Sequence, residues 1–261
     1  MAPRDQKKPT WVIQKERDRR ASAAETVWLF GIHAVRDALA NPMRERLRLV
    51  VTKNAADRLA EDIAASGMTP EISDPRKFAA PIDPQSVHQG AALEVKPLDW
   101  GNLSELCAPR SQNARLILLD RVTDPHNVGA ILRSAEVLGA RAVIAPLRHS
   151  APETGALAKT ASGALERQPY LRIKNLATTM EALKEMGYLM VGVDAIGEGA
   201  VGDIDPGQPI ALVLGAEGPG LRDKTKETCD ILARIDPAGE FGSLNVSNAA
   251  AVALYAVGKP S

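Results

Sequence analysis

The sequence predicts an α/β fold with a mainly parallel sheet, preceded by a smaller α/β unit. From Ala114 onward, short apolar runs alternate with segments whose apolar residues recur every three or four positions. Such an alternation of strands and helices is typical of a parallel sheet covered by helices on both faces. Residues 26–97 show a shorter version of the same pattern. Residues 98–113 between the two units contain several Pro, Gly, Ser and Asn residues, which predict a linker.

The composition is typical of a soluble globular protein. Lys and Arg total 32, as do Asp and Glu, and the resulting zero net charge argues mildly against broad nucleic-acid binding. No apolar run approaches the roughly 20 residues that cross a membrane, and the first residues lack the apolar core of a signal peptide. Only Cys107 and Cys229 are present, so neither a disulfide framework nor a zinc site is expected. We therefore expect a cytoplasmic protein that binds no metal and no membrane.

Residues 1–25 form a basic segment with little apolar periodicity. They carry seven Lys or Arg residues and four Asp or Glu residues. Such a composition predicts a disordered basic tail. Two interpretations remain open, an arm that contacts RNA and a solvated leader, of which the second is the commoner case.

Apolar periodicity also predicts the individual elements. In the smaller unit, residues 28–39 have helical spacing, and Asn41-Pro42 ends that helix. The other elements expected there are a strand at 47–51, a helix at 55–65, a strand at 71–72, a helical segment at 75–80 and a strand at 87–95. In the larger unit we expect strands at 116–119, 142–145, 189–193, 211–214 and 231–235, and helices at 127–138, 154–165, 176–186, 222–228 and 245–257.

The stretch Ala211-Leu-Val-Leu-Gly-Ala-Glu-Gly-Pro-Gly-Leu221 is the first candidate for a functional loop. Its apolar beginning predicts a buried strand, and the glycines that follow permit positive φ and a close approach of backbone. Glu217 places one carboxylate in the middle of this loop. In open α/β sheets, ligands bind at such a carboxyl edge, although a plain strand-to-helix connection would have the same local pattern.

A second candidate stretch runs from Asp120 to Ala135. Asn127 or Asp124 could cap the helix that begins there, and capping is the favoured interpretation of Asn127 taken alone. Arg133 follows within a segment otherwise apolar enough to be buried. A buried arginine requires an acidic partner or an anionic ligand, so Arg133 is a candidate site residue.

A third candidate stretch runs from Phe241 to Tyr255. Four polar residues precede and open an alanine-rich helix, which is more than a helix cap requires; they are Ser243, Asn245, Ser247 and Asn248. By contrast, residues 197–202 satisfy the pattern G-x-G-x-x-G but are followed by two prolines where a phosphate-binding helix would begin. We interpret that segment as a surface turn, and the chain has no Gly-Lys-Ser/Thr nucleotide motif.

The three candidate stretches resemble the three motifs of the SpoU (TrmH) family of RNA ribose 2′-O-methyltransferases. They occur in the family's order and spacing, as Asn127-x-Gly-x-x-x-Arg133, Leu214-Gly-Ala-Glu-Gly-x-Gly-Leu221 and Ser243-Leu-Asn-Val-Ser247. Gly31-x-His-Ala-Val and His88-Gln-Gly also resemble the small RNA-binding domain of the branch that methylates a guanosine of 23S ribosomal RNA. Asp236 and Asn248 depart from the family's usual residues.

The resemblance implies more than the residue pattern does. It implies a trefoil knot in the C-terminal segment, a homodimer, S-adenosylmethionine as cofactor and ribosomal RNA as substrate. The implied catalytic residues are Arg133, Asn127, Glu217, Ser243 and Asn245, and the implied cofactor-binding residues are Gly215, Ala216, Gly218, Ile235, Leu244 and Ser247. Arg133 is expected to act as an electrostatic partner, since a guanidinium with a pKa above about 12 is a poor base. Two alternatives remain, a transfer-RNA methyltransferase and a non-catalytic RNA-binding protein of the same fold.

Overall fold

The computed structural model describes residues 26–83, 85–239 and 244–258, and its strands form two sheets, one in each predicted unit. The predicted tail at residues 1–25 and the candidate site residue Ser243 lie outside the described residues.

The smaller unit contains a four-stranded mixed sheet in the order β1-β4-β2-β3. Strand β4 is antiparallel to both β1 and β2, while β3 is parallel to β2. The strands are β1 (Val27–Phe30), β2 (Arg46–Val51), β3 (Glu71–Ile72) and β4 (Ala91–Val95), and the helices are α1 (Ile32–Ala40), α2 (Lys53–Arg58) and α3 (Ala60–Ser66).

Several predictions for this unit were wrong in detail. The helix expected from residue 28 begins only after Gly31, whose φ of 93° ends the strand β1 that the periodicity missed. The helix expected at 55–65 is two helices, because the fully buried Leu59 leaves helical geometry at their junction. No helix forms at residues 75–80. The last strand begins at Ala91, since Gln89 and Gly90 form a left-handed turn.

The larger unit contains a seven-stranded sheet in the order β7-β6-β5-β10-β8-β11-β9, in which every pairing is parallel. This confirms the predicted α/β fold with a mainly parallel sheet. The strands are β5 (Arg115–Asp120), β6 (Ala142–Pro146), β7 (Tyr170–Ile173), β8 (Leu189–Val193), β9 (Gly199–Ala200), β10 (Ile210–Gly215) and β11 (Ile231–Arg234). The helices are α4 (Leu103–Cys107), α5 (Pro125–Val137), α6 (Gly155–Ala161), α7 (Leu176–Glu185), α8 (Asp223–Thr228) and α9 (Val246–Gly258), with single 3₁₀ turns at Ala164–Glu166 and Val201–Asp203.

The central strands are buried on both faces. In β5, Ile117 and Leu119 enter one apolar cluster, while Leu116 and Leu118 enter another on the opposite face. Continuous apolar runs of this kind are typical of parallel strands with helices on both sides. Since all the pairings are parallel, the carboxyl ends of the strands lie along one edge of the sheet, where ligands of open α/β folds bind.

Three elements of this unit were not predicted, namely the strands β7 and β9 and the helix α4. Strand β7 was not predicted, although it pairs with β6 along the sheet. The expected linker at residues 98–113 contains helix α4. Cys107 at its end is fully buried, and its carbonyl oxygen accepts a hydrogen bond from the Tyr188 hydroxyl at 2.8 Å. The glycine pattern at residues 197–202 was interpreted as a surface turn, but it contains the short edge strand β9, which pairs with β11, and a 3₁₀ turn. No α-helix directly follows it, in agreement with the exclusion of a phosphate-binding helix.

A buried ion-pair cluster joins the two units. The Arg44 guanidinium, with a fully buried side chain, lies 3.0 Å from Glu153 and 2.7 Å from Glu166 of the larger unit. Burial raises the pKa of the Glu153 carboxyl above its ordinary value, and the charge of Arg44 opposes this rise. Nearby, a Cβ added to Gly155 would lie 2.3 Å from the Phe30 ring, so β1 packs directly against α6. This contact was not predicted from the sequence.

Candidate active site

A cavity of about 770 Å³ opens at the carboxyl edge of the large sheet. Its floor is formed where β8, β10 and β11 end, at Val193, Gly215 and Ile235. The loop after β10 forms one wall, and the segment that leads into α9 forms another. This is the position at which the glycine loop was expected to meet a ligand.

Backbone atoms, rather than long side chains, shape the loop wall. A Cβ on Gly215 would lie 2.1 Å from the carbonyl carbon of Gly220, so only glycine lets the loop fold back on itself. The Gly220 amide donates to the Ala216 carbonyl oxygen at 2.9 Å and closes that turn. Gly218 and Gly220 have φ values of 82° and 67°, which L side chains rarely adopt. The close approach predicted for Gly215 is therefore an approach to its own loop.

Three polar side chains from the three candidate stretches meet at the rim of this cavity. Asn127 Nδ2 donates to Glu217 Oε1 at 3.1 Å, and Asn245 Nδ2 donates to the same oxygen at 2.5 Å and to Asn127 Oδ1 at 2.9 Å. The Val246 amide also points at Glu217 Oε1, at 3.5 Å. Within the described part of the chain, the bonds to the Glu217 carboxylate all end on Oε1, which leaves Glu217 Oε2 as an acceptor.

The interpretation of Asn127 as a helix cap was wrong. Asp124 caps α5, because its carboxylate accepts a hydrogen bond from the His126 amide at 2.9 Å. Asn127 is buried and its amide is committed to Glu217 and Asn245. Asn127 therefore belongs to the polar cluster at the rim of the cavity and not to the helix cap.

Arg133 is not brought into this cluster by the fold of the single chain. Its neighbours Ile131 and Leu132 are fully buried, but Arg133 is exposed, so the expectation of a buried arginine was wrong. Six residues of α-helix turn about 600°, which places Arg133 about 120° around α5 from Asn127. Its side chain forms no hydrogen bond or ion pair with the other residues that the structure describes.

Most of the predicted cofactor residues line the cavity. Ser247 does not; its amide and hydroxyl instead donate to Asn245 Oδ1, at 2.8 Å and 2.6 Å, and thereby hold that side chain in place. Asp236, one departure from the family pattern, lies beside the cavity and forms an exposed ion pair with Arg234. The predicted residues in the cavity wall are Gly215, Ala216, Gly218, Ile235 and Leu244, together with Glu217 and Asn245.

Two charged residues of the wall were missed. Asp194 directly follows β8, and its carboxylate pairs with the Lys226 ammonium at 2.9 Å. Both side chains are largely buried. The signal was available, since a carboxylate immediately after a buried strand lies at the ligand-binding edge of the sheet.

A further buried carboxylate holds the loop and α8 together. Asp120 is fully buried at the end of β5 and lies beside Gly215 in the sheet register. It accepts hydrogen bonds from the Arg222 amide at 3.1 Å, from Arg222 Nε at 2.7 Å and from the Thr225 hydroxyl at 2.7 Å. These bonds fix the entry to α8 and leave Asp120 with a structural role.

Other chemistries have less support in the described residues. No group of three His, Cys, Asp or Glu residues there is arranged to hold a metal ion. In the same part of the chain, no helix combines the length and apolarity that crossing a membrane requires. Burial raises the pKa of the Cys107 thiol to about 11 and that of Cys229 to about 12, so neither is a thiolate nucleophile at neutral pH.

Comparison with known proteins identifies the class to which this site belongs. A sequence model of the SpoU rRNA Methylase family matches residues 114–255, and one for RNA 2′-O ribose methyltransferase substrate binding matches residues 28–100. The chain therefore belongs to the SpoU rRNA methylase family.

Individual relatives are more specific. The chain is 39% identical over 236 residues to the 23S rRNA (guanosine-2′-O-)-methyltransferase RlmB of Coxiella burnetii, a match that covers 88% of this chain and 94% of that protein. It is 38% identical to RlmB of Pseudomonas aeruginosa, with the same coverage. Among solved structures, the SpoU methyltransferase AviRb from Streptomyces viridochromogenes in complex with AdoMet has a TM-score of 0.75 and 26% identity, and the match covers 92% of each chain.

Proposed function

We propose that this protein transfers a methyl group from S-adenosylmethionine to the ribose 2′-hydroxyl of a guanosine in 23S ribosomal RNA. The observation that carries the proposal is the Asn127–Glu217–Asn245 cluster, which joins side chains from all three motif regions at the rim of the cavity. The relatives named for this reaction support the choice of substrate, because they match over nearly their full length. A reaction on ribosomal RNA agrees with a cytoplasmic location.

The residues of the cavity fit the cofactor. Gly215, Ala216 and Gly218 present backbone N–H and C=O groups, while Ile235 and Leu244 present apolar surface. Such a wall suits an uncharged adenine better than a phosphate, because the glycine loop carries no cation and Lys226 elsewhere in the lining is already paired with Asp194. When bound there, S-adenosylmethionine supplies a methyl group on a positively charged sulfur.

The polar cluster is suited to hold the ribose. As the new bond to carbon forms, the 2′-hydroxyl loses its proton, so an acceptor beside that hydroxyl lowers the barrier. Glu217 Oε2 is such an acceptor, and the donors that fix Oε1 keep the carboxylate from turning away. Asn127 and Asn245 keep this geometry before the RNA arrives, which reduces the reorganisation required during the reaction. We assign Ser243 to the same site by its place in the third motif.

Arg133 requires a second subunit in this proposal. It lies on an exposed stripe of α5 with Val137, and the helix α9, which packs against α5, also has exposed apolar residues, Val252 and Tyr255. Exposed apolar side chains on two packed helices are typical of a protein interface. We propose that the homodimer forms through this face, and that Arg133 stabilises charge on the ribose and its phosphate from the subunit boundary.

The finer fold and domain assignments follow from the same family membership. We propose that residues 26–97 select the RNA and that residues 114–261 form the methyltransferase domain, with 98–113 between them. We also propose the C-terminal trefoil knot. It is supported by the return of α9, after β11 near the sheet margin, to pack against α5 and the central strand β10.

A methyl-transfer assay on defined RNA tests the proposed function. The purified protein would be incubated with radiolabelled S-adenosylmethionine and unmodified 23S ribosomal RNA, with transfer RNA as a parallel substrate. We expect label on the 2′-oxygen of one guanosine, detected as a position resistant to alkaline cleavage. Label only on transfer RNA, label on a base, or RNA binding without transfer would each contradict the proposal. Asn245→Ala serves as the matched variant and should abolish transfer.

A further inference from the structure

A second cleft, of about 340 Å³, occupies the other half of the carboxyl edge of the sheet. The cofactor cavity lies at the ends of β8, β10 and β11, whereas this cleft lies where β5, β6 and β7 end. Its lining includes five Lys or Arg residues and no Asp or Glu, although the net charge of the whole chain is zero. The five cations are Arg121, Arg148, Lys174, Arg222 and Lys224.

Most of these cations have no acidic partner. Arg222 pairs with the buried Asp120 at 2.7 Å. The other four side chains are exposed and form no ion pair or side-chain hydrogen bond with any other residue that the structure describes. Like charges gathered around one concave surface repel one another and concentrate a positive potential there, which an anion relieves.

The loop that carries Arg148 is held open rather than free to collapse. The Arg172 guanidinium donates to the carbonyl oxygens of Pro146, Leu147 and Ala151, at 2.9, 3.0 and 2.8 Å. Two residues of the cleft lining, Arg121 and His149, have φ values of 63° and 60°, an unfavourable conformation for residues other than glycine. Residues other than glycine keep such a strained backbone conformation only where the surrounding structure fixes them, and they cluster at ligand-binding sites.

We propose that this cleft binds the phosphodiester backbone of the substrate RNA next to the methylated nucleotide. The proposal rests on the proposed function. Helix α8 links the two sites, since Lys226 lines the cofactor cavity while Arg222 and Lys224 line the cleft. Six helical residues span about 9 Å, so one RNA strand reaches both sites. Arginine guanidinium groups match phosphate oxygens in geometry, and the exposed cations around the cleft are accessible to a polymer.

The salt dependence of RNA binding tests this assignment. The affinity for a 23S ribosomal RNA fragment would be measured at several KCl concentrations for the unaltered protein, Arg148→Gln, Lys174→Gln and the double variant. Each lost phosphate contact should reduce the slope of log K against log salt by about 0.7 to 1, and the double variant by about twice that. Arg110→Gln is the matched control, because Arg110 is exposed outside the cleft; its slope should not change. Calorimetry with S-adenosylmethionine checks that every variant remains folded.

The outcomes separate the possible ligands. Slopes that match the unaltered protein in both single variants and in the double variant would overturn the proposal. A parallel titration uses inorganic phosphate alone: if it binds the unaltered protein tightly, and only this binding is lost in the variants, the cleft takes a small anion and not RNA. Failure of the unaltered protein to methylate any ribosomal RNA would contradict the proposed function instead, and it is read from a separate measurement.

Discussion

Removal of Arg44 should destabilise the protein strongly, because this arginine is buried between the two units. Arg44 donates through Nε and Nη2 to both oxygens of Glu166, through Nη1 to Glu153 and through the same Nη1 to the Lys96 carbonyl oxygen. The substitution Arg44→Ala leaves two carboxylates of the larger unit buried without a counter-charge. It also removes the ion pairs that Arg44 forms between the two units.

The magnitude follows from the burial of all three partners. The side chains of Arg44, Glu153 and Glu166 are 0%, 7% and 4% exposed. Deleting one member of a buried ion pair costs about 3–5 kcal/mol, because the remaining charge loses its partner without regaining water. With a typical total stability of about 5–15 kcal/mol, Arg44→Ala should consume a large part of it.

Urea denaturation of Arg44→Ala, followed by circular dichroism, measures this loss. Arg48→Ala is the matched control, because Arg48 forms a similar paired contact with Glu71 at 2.7 Å, but both side chains are well exposed. Solvent and salt screen such a pair, so the control midpoint should barely move. Equal midpoints for the two variants, with unchanged slopes, would refute the assignment of the buried cluster as a stabilising junction.

Three further predictions concern the site and its surroundings. Gly215→Ala forces a methyl group against Gly220 and should weaken cofactor binding by about 1–3 kcal/mol, or roughly 5- to 150-fold, in calorimetry. Gly199→Ala, with open space around its Cβ, is its control. Arg133→Lys should slow single-turnover methyl transfer by about 10²- to 10³-fold while cofactor affinity stays constant, because the forked donor geometry is lost at an exposed position. Glu153→Gln should gain stability relative to the unaltered protein as pH rises above about 4.5.

The sign of the pH effect follows from the raised pKa of Glu153. A carboxyl whose pKa is higher in the folded state binds more protons there, so its contribution falls as pH rises through the folded-state pKa. Glutamine lacks this titration, so the urea midpoints of the two proteins should diverge as pH rises. Plots of the midpoint against pH that stay parallel would contradict the argument. For Gly215→Ala, normal cofactor affinity would show that the loop tolerates the methyl group. A normal transfer rate for Arg133→Lys would remove that residue from the mechanism.

The strands and helices of the larger unit were predictable because their signals are local. Continuous apolar runs such as residues 116–119 and 211–214 mark buried parallel strands, and the structure has both. Strand β7 lacked such a run, since its sequence Tyr-Leu-Arg-Ile includes a charged residue that turns to bind neighbouring carbonyl groups. Its place in the sheet depends on pairing with β6, which periodicity does not report.

The site divides in the same way between local and long-range information. Motif residues Asn127, Glu217 and Asn245 were identified from sequence, but their mutual hydrogen bonds depend on the fold. The exposure of Arg133 could not be predicted from its apolar neighbours, because a helix presents adjacent residues to different surroundings. The basic cleft draws its cations from four separate segments, none of which is strongly basic by itself.

The order in which the chain emerges during synthesis gives the Asn127–Glu217–Asn245 cluster a distinctive timing. All seven strands of the large sheet precede residue 235, whereas Leu244, Asn245 and helix α9 come after it. Arg115, at the start of β5, donates to the Val257 carbonyl oxygen at 2.9 and 2.7 Å, and these bonds cannot form until residue 257 has been synthesised. A nascent chain can therefore complete its sheet while its active site still lacks a wall, and it becomes competent for catalysis only when its last turns of helix have left the ribosome.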